Sequence, residues 1–315
     1  MQQYPNLTNL LDNYANKPSG ISTDEHLNRW IDQFNIDYHT SILDVLEEVI
    51  TKNTYSDKIF EDIFGSKVIL DASLTRNDPS KYWAETFVLC CPQNRSQNEI
   101  ASILCKSLTA NGLSCCADET KAVRYLYVDD FSFSGYRIYQ DLKNFNTDKE
   151  IDIVTIATYT YNQYYFNKEF KPKLKFKKIN RFNHIVFENR LWKKEDAETF
   201  IPHTDCLEDF FIKFHDNLNG KTFSKYMRTT QKPNRTFSNP QKRSLCEKAF
   251  FEKGLIITES CCTRYKPLGG QAPYGLGFGS ALFTYRNCSN TNPLVLWFGD
   301  YDGKIWYPLI KRKGY

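Results

Sequence analysis

Apolar positions recur at helical spacing through the first part of the chain. Leu27, Trp30, Ile31 and Phe34 follow a Thr23/Asp24 cap, and Ile42, Leu43, Leu46, Val49 and Ile50 repeat the pattern. Ile59, Phe60, Ile63 and Phe64 predict a shorter helix behind Ser56-Asp57. Three helices ahead of any strand read as a helical appendage over residues 1–65, packed on a main domain.

The rhythm then changes to strands alternating with helices, which sets an α/β core over residues 66–190. Phe87–Cys91 is a short apolar run, and Ser96-Gln97-Asn98-Glu99 has the form of a capping box ahead of Ile100, Ile103, Leu104 and Leu108. Gly112–Cys116 and Val123–Val128 are the next strand candidates. Ile138, Leu142 and Phe145 predict a helix, and Ile151–Ala157 is a near-continuous apolar strand. Buried strands separated by helices imply a parallel sheet covered on both faces.

Residues 191–315 predict a helical and β-rich part that completes the core and covers its site. In Lys171–Lys177 lysines alternate with Pro, Leu and Phe, the pattern of an edge strand. Asp205 is placed to cap a helix carrying Leu207, Phe210, Phe211 and Phe214. Tyr226–Ser244 holds Arg228, Lys232, Arg235, Lys242 and Arg243, two prolines and no acid, and reads as a loop or lid. The tail alternates Gly-rich turns with aromatic strand candidates at Pro267–Gly279, Ser280–Tyr285 and Pro293–Trp297.

Composition narrows the function classes. Among 315 residues, 41% are hydrophobic and 15% aromatic, so a core forms and disorder, collagen and coiled-coil architectures are excluded. Lys+Arg of 41 against Asp+Glu of 37 leave +4, too little by itself to call for nucleic acid. Apolar runs fall far below the roughly 20 residues of a membrane span, so no membrane partner is expected. Met1–Asn6 lacks the basic and apolar regions of a secretory signal. Of the ten cysteines, six form the adjacent pairs Cys90-Cys91, Cys115-Cys116 and Cys261-Cys262. We read them as reduced, mostly buried thiols of a cytoplasmic protein. His26, His39, His184, His203 and His215 show no metal-ligand spacing, and no serine-hydrolase, zincin or P-loop motif occurs.

The chemistry concentrates in Tyr125–Arg137. A hydrophobic strand ends in Asp129-Asp130, a short turn follows through Phe131, Ser132, Phe133, Ser134 and Gly135, and a helix then carries Arg137. Ligands of open α/β sheets bind at the carboxyl ends of strands. Turn amides and a helix N-terminus suit a phosphate, Ser134 adds a hydroxyl, and Gly135 admits close approach. Two carboxylates beside such a cradle suit ribose hydroxyls, directly or through Mg²⁺. The bland alternative is an acidic strand end that caps the next helix. Arg95-Ser96, opening a helix after a strand, reads either as a pyrophosphate contact or as a plain cap.

This run resembles the phosphoribosyl pyrophosphate motif of type I phosphoribosyltransferases: two acids, three variable residues, Thr-Gly, one residue, then Thr or Ser. Ser134 stands for the Thr, Phe133 is bulky where a small residue is common, and Arg137 replaces the final hydroxyl residue. Asn28–Phe34, the Asp129–Arg137 turn, Pro267-Leu268-Gly269 through Asn287, Asn290–Pro293, Leu296-Trp297 and Trp306–Leu309 together resemble the phosphoribosyltransferase-like group of bacterial conflict systems, PRTase-CE. The resemblance implies a type I fold and an enzyme acting on phosphoribosyl pyrophosphate or nucleotides with Mg²⁺, in an antiphage or toxin–antitoxin locus. In that role Asp129 and Asp130 hold ribose hydroxyls or the metal, and the amides of Phe131–Gly135 with Ser132 and Ser134 hold the 5′-phosphate. It also implies an operon partner: an antitoxin, a DprA-like protein or a reverse transcriptase.

Two other readings stay open on the sequence. A degenerate site that senses a nucleotide without turnover draws on Phe133 and Arg137. Nucleic-acid binding draws on Lys171–Lys177, the basic Tyr226–Ser244 stretch and Lys311-Arg312-Lys313. The Pro267–Gly279 stretch is either a set of tight turns or a substrate-facing loop in which Tyr274 and Phe278 stack on a base.

Overall fold

The structure is a computed structural model that describes residues 3–91, 95–206, 223–261, 265–270 and 275–313. They form two compact units, one of residues 56–187 and one joining residues 1–55 to residues 188–315. The second unit begins with helices α1 (Pro5–Asn13), α2 (Thr23–Ile31) and α3 (Ile36–Asn53), then a two-residue strand β1 (Thr54–Tyr55). Ser22 caps α2, its hydroxyl accepting from the Glu25 amide, and Asn35 caps α3 through the Asp37 amide.

The unit of residues 56–187 holds the main sheet. After α4 (Asp57–Asp62), α5 (Ala72–Thr75) and α6 (Pro79–Ala84) come β2 (Thr86–Val88), α7 (Arg95–Ala110), β3 (Arg124–Ser132), α8 (Tyr136–Leu142), β4 (Glu150–Tyr159), α9 (Thr160–Tyr165) and β5 (Lys178–Phe187). The order is β2-β3-β4-β5 and every pair is parallel. Strand β4 is buried along nearly its whole length, as expected where both faces are covered. Tyr125, Tyr127, Ile151, Ile153 and Ile179, alternate positions on three strands, pack one face with Ile138, Leu142 and Phe166. Leu126, Val128 and Ile156, fully or almost fully buried, belong to the opposite face.

The connections place the crevice. After α7 the chain reaches the outer edge of β2, where the Cys116 amide donates to the Thr86 carbonyl at 2.9 Å. It then crosses to the inner side, where the Val123 amide donates to the Glu85 carbonyl, and continues as β3. The winding therefore reverses between β2 and β3, and the segments leaving their carboxyl ends flank the topological switch point.

In the other unit the N-terminal helices share one core with the tail. Trp30 and Trp306 both donate their indole N–H to the Val295 carbonyl at 2.8 Å, and Gln33 bonds the Tyr307 backbone in both directions. His26 sits between the Tyr307 hydroxyl and the Leu309 carbonyl, and burial depresses its pKa. Strand β1 pairs in parallel with β6 (Phe283–Thr284). A long helix, Pro240–Cys261, packs against α3.

Several sequence expectations need correction. Lys171–Lys173 is a 3₁₀ turn, and the edge strand is β5, which follows the lysine-alternating stretch. Gly112–Cys116 lies along β2 through one bond without forming a strand, and Pro293–Trp297 ends in a helical turn, Leu294–Trp297. The C-terminal part is not β-rich: β6 is its only strand among the described residues. Helix α7 starts at Arg95, so Ser96 lies inside it and is not its cap. Three of the nine described cysteines, Cys206, Cys246 and Cys288, are buried, and Cys90 is exposed, so the thiols are not mostly buried. Asp205 belongs to a 3₁₀ turn, Thr204–Cys206, and Leu207, Phe210, Phe211, Phe214, His215, Cys262 and Tyr274 lie outside the described residues.

Tyr226–Ser244 is not a free basic lid. Its second part begins the long helix, and all five cations meet acids of their own unit. Lys232 pairs with Asp196, Arg235 with Glu198 and Lys242 with Asp44. Arg228 and Arg243 are fully buried and share Glu247. Phe278 is buried as well, within backbone so close that a Cβ on Gly277 would lie 2.5 Å from the Leu268 carbonyl carbon. The stretch is a set of tight turns at that point, and Phe278 does not face a substrate.

Candidate functional site

Strand β3 extends past Val128 to take in both acids. Asp129 is 5% exposed, whereas Asp130 is half-buried. The Asp129 carboxylate accepts the Asp130 amide at 3.0 Å, and the Asp130 carboxylate accepts the Phe131 amide at 2.6 Å. The Tyr127 hydroxyl stands between two carboxyl groups, 3.3 Å from Asp129 and 2.8 Å from Asp141. Burial, reinforced by Asp130 and Asp141, raises the Asp129 pKa well above the ordinary carboxylate range. Burial and the same two neighbours, Asp129 and Asp141, push the Tyr127 phenol up. Cys91, leaving β2, is pushed up to about 12 by burial and the Asp141 charge. Repulsion of the Cys91 thiolate by Asp141 and Asp129 couples the β2 exit electrostatically to the β3 exit.

The turn is held from below. The Asn162 side-chain amide donates to the Ser132 carbonyl at 2.5 Å, to the Ser132 hydroxyl at 2.6 Å and to the Thr158 hydroxyl at 2.9 Å. Ser132 is therefore a buried tie between β3 and α9. Phe133 stacks on Tyr159 at 5.9 Å and contacts Phe131 edge-on. Ser134 accepts the Tyr136 amide at the entry of α8. Gly135 has φ +74°, and a Cβ there would lie 2.7 Å from the Asn162 side-chain oxygen and 2.9 Å from Phe166. Only glycine fits this turn. Arg137 is half-exposed and pairs with Asp141, one helical turn on, at 3.4 Å.

Asp129 through Arg137 are thus brought together at one strand end. The backbone of Arg95 and Ser96 opens α7 beyond β2, on the other side of the switch point; their side chains are not among those described. Gln97 anchors that segment: its side chain accepts the Cys91 amide at 2.9 Å and donates to the Leu89 carbonyl at 2.7 Å. Gln97, Tyr127, Asp141 and Asn162 were not singled out from the sequence. Asp141 had a local signal, four residues after Arg137 on a predicted helix. Asn162 had none, because its role depends on β3 and β4 lying side by side.

Two adjacent carboxylates by themselves do not form a protein-held metal cage, and no group of three or more His, Cys, Asp or Glu suited to a metal occurs among the described residues. Mg²⁺ characteristically keeps water and substrate phosphates as ligands, with one or two carboxylates. These residues fit such an ion arriving with a pyrophosphate.

A parallel sheet whose winding reverses beside a glycine turn and paired acids defines the class of α/β folds with a crevice at their strand ends. The chain belongs to the PRTase-CE family, whose profile matches residues 27–312, and is a phosphoribosyltransferase-like protein. A comparison with curated proteins finds no match. No helix among the described residues is long and apolar enough to cross a membrane.

Proposed function

We propose that the chain is a cytoplasmic phosphoribosyltransferase-like enzyme acting on phosphoribosyl pyrophosphate or a nucleotide with Mg²⁺, as the effector of an antiphage or toxin–antitoxin system. The observation that carries this reading is Asp129-Asp130 near the carboxyl end of β3, ahead of a turn that only glycine can make. Cleavage at ribose C1′ passes through an oxocarbenium-like state, for which a protein contributes positioning and electrostatics. Asp130 is the more accessible carboxylate and takes the ribose hydroxyls; Asp129 holds the strand end. Phe131 and Ser132 belong to β3, so the turn from Phe133 to Gly135, with the Ser134 hydroxyl, takes the 5′-phosphate, and Arg137 reaches it by leaving Asp141. Mg²⁺, when bound, offsets pyrophosphate charge. Transfer, phosphorolysis and donor hydrolysis all use this site. A cognate operon partner, an antitoxin, a DprA-like protein or a reverse transcriptase, restrains or delivers it.

The second reading, a nucleotide sensor without turnover, draws on Phe133 packed against Tyr159 and Arg137 paired with Asp141. ³¹P NMR of the full chain with Mg²⁺ and phosphoribosyl pyrophosphate or nucleotides separates the two. Turnover lowered at least ~100-fold in Asp129→Asn/Asp130→Asn supports the enzyme. Equal turnover in the variant refutes this site. Binding that needs both acids, with no turnover in the wild type, establishes the sensor.

A further inference from the structure

The crossover from β4 to β5 lies within the unit of residues 56–187 and covers one face of its sheet. It leaves β4 at Tyr159, forms α9, a wide helical turn (Phe166–Phe170) and the 3₁₀ turn Lys171–Lys173, and enters β5 at Lys178. Lys178 stands opposite Glu150, the first residue of β4, so the segment travels from the carboxyl end of the sheet back to its amino end. Phe166, Phe170 and Leu174, spaced by four, join the core with Ile138 and Leu142 of α8.

Rings in contact form a belt across α8, α9 and the wide turn. Tyr136 and Tyr139 meet Phe170 at 5.8 and 5.0 Å, and Tyr165 meets it at 5.3 Å. Tyr161 stacks on Tyr165 at 5.9 Å and meets Tyr164 at 6.4 Å. Core packing accounts for Phe170, which is buried. It does not account for Tyr136 and Tyr164, 50% and 49% exposed at the two ends of the belt. Contiguous apolar surface of this kind marks a site of interaction. Cations lie on the same segment: residues 160–178 hold six lysines and one acid, Glu169. The Lys168 ammonium stands over the Tyr164 ring at 6.0 Å. Lys171, Lys173, Lys175 and Lys177 are exposed, and none has an ion pair among the described residues. In Tyr226–Ser244, by contrast, every cation meets an acid.

We propose that this face binds single-stranded nucleic acid, its phosphates along the lysines and its bases on the exposed tyrosines. A single strand offers both complements at once, a negative backbone and unpaired base faces that stack on aromatic rings. A duplex keeps its base faces covered and would use the lysines alone. The assignment does not depend on the reaction proposed at Asp129-Asp130, although the belt begins at Tyr136, the first residue after the Gly135 turn.

The test is fluorescence anisotropy of a labelled oligothymidylate and a labelled oligouridylate, each of about 20 nucleotides, with the full chain in EDTA. A duplex of the same length and phosphatidylserine vesicles run alongside. The wild type is expected to bind at least one single strand at least ~10-fold more tightly than the duplex, and the tighter of the two names the sugar. Tyr136→Leu/Tyr164→Leu is expected to weaken that binding at least ~10-fold while keeping its salt dependence. Lys171→Gln/Lys173→Gln/Lys175→Gln should flatten the slope of log affinity against log salt by about 2, since each of the three cations releases about 0.7 of a counterion. These lysines are exposed, so this arm stands even if the tyrosine pair disturbs the fold. Asp129→Asn/Asp130→Asn should bind as the wild type does. Equal binding of the duplex, unchanged affinity in the tyrosine variant, an unchanged slope in the lysine variant or no binding of either strand would each overturn the assignment. Vesicle binding without oligonucleotide binding would overturn it in favour of a membrane contact. Loss of binding in Asp129→Asn/Asp130→Asn alone would move the ligand to the strand-end site.

Discussion

Glu247 holds two arginines inside the unit formed by residues 1–55 and 188–315, and its replacement by Gln tests how that stretch of chain is built. Arg228, Arg243 and Glu247 have side chains with no exposed surface, the two guanidinium groups lying 2.5 and 2.8 Å from the carboxylate. Carbonyls of Ala197, Thr199 and Ile201 take further guanidinium hydrogens, and the Ile201 amide returns a bond to Glu247. Burial, with the repulsion from Arg228, brings Arg243 down to about 10 even with Glu247 in place. Glu247→Gln keeps the shape but leaves two buried cations without their shared counter-charge, a change that costs about 3–5 kcal/mol. For a unit of roughly 180 residues that is a loss of about 6–20 °C in melting temperature. Tryptophan fluorescence reads it directly, since Trp30, Trp297 and Trp306 are buried in this unit. Lys232→Gln is the internal control: its pair with Asp196 is about half-exposed on both sides and is worth less than about 1 kcal/mol. A Glu247→Gln protein melting within about 2 °C of the wild type would refute the buried-triad account and reopen the basic stretch as a surface element.

Two further outcomes follow from the strand end. Because the folded-state pKa of Asp129 is raised, its contribution to stability is fully present below the unfolded value of 3.8 and is lost as pH rises through the folded value. Asp129→Asn should therefore gain in melting temperature over the wild type as pH goes from 4 to 8, and a difference that is constant or shrinks with rising pH would contradict the assignment. Gly135→Ala forces a left-handed conformation costing about 1–2 kcal/mol and drives Asn162 and Phe166 apart, so a total loss above about 2 kcal/mol in urea unfolding is expected. A loss below about 0.5 kcal/mol would mean that the turn is not the tight one described.

The parts legible in the sequence were those with local causes. Period-3.6 runs gave α2 and α3, and the unbroken apolar run Ile151–Ala157 gave β4, because a strand buried on both faces carries no alternation. Asp129 and Asp130 stood out because charge abruptly follows Tyr125–Val128. What escaped depends on contacts distant in sequence. Strand β5 mixes Asn180, Arg181, Asn183 and His184 with apolar residues, since an edge strand is only half covered. Helix Pro240–Cys261 has apolar residues on all sides and buries Arg243, Ser244 and Glu247 among them, so no single apolar stripe marks it. The basic stretch looked solvated because its acids, Asp44, Asp196, Glu198 and Glu247, lie elsewhere in the chain. The N-terminal helices looked like an appendage because their partners, Val295 and Tyr307, are more than 260 residues away.

Burial explains why two identical side chains, one after the other, differ at the strand end. Asp129 is buried beside Tyr127 while Asp130 is half-buried, and the two carboxyl groups lie close enough to interact directly. Burial then favours the neutral form of Asp129, and its position in register with Thr155 and Asn183 fixes the end of β3 to the two strands beyond it. Asp130 is left as the more accessible carboxylate, its orientation set by the Phe131 amide. A single Asp-to-Asn change at each position therefore reads out differently: position 129 through stability and its pH dependence, position 130 through ligand and turnover. A sequence motif of two acids is, in three dimensions, one buried carboxyl group and one accessible one.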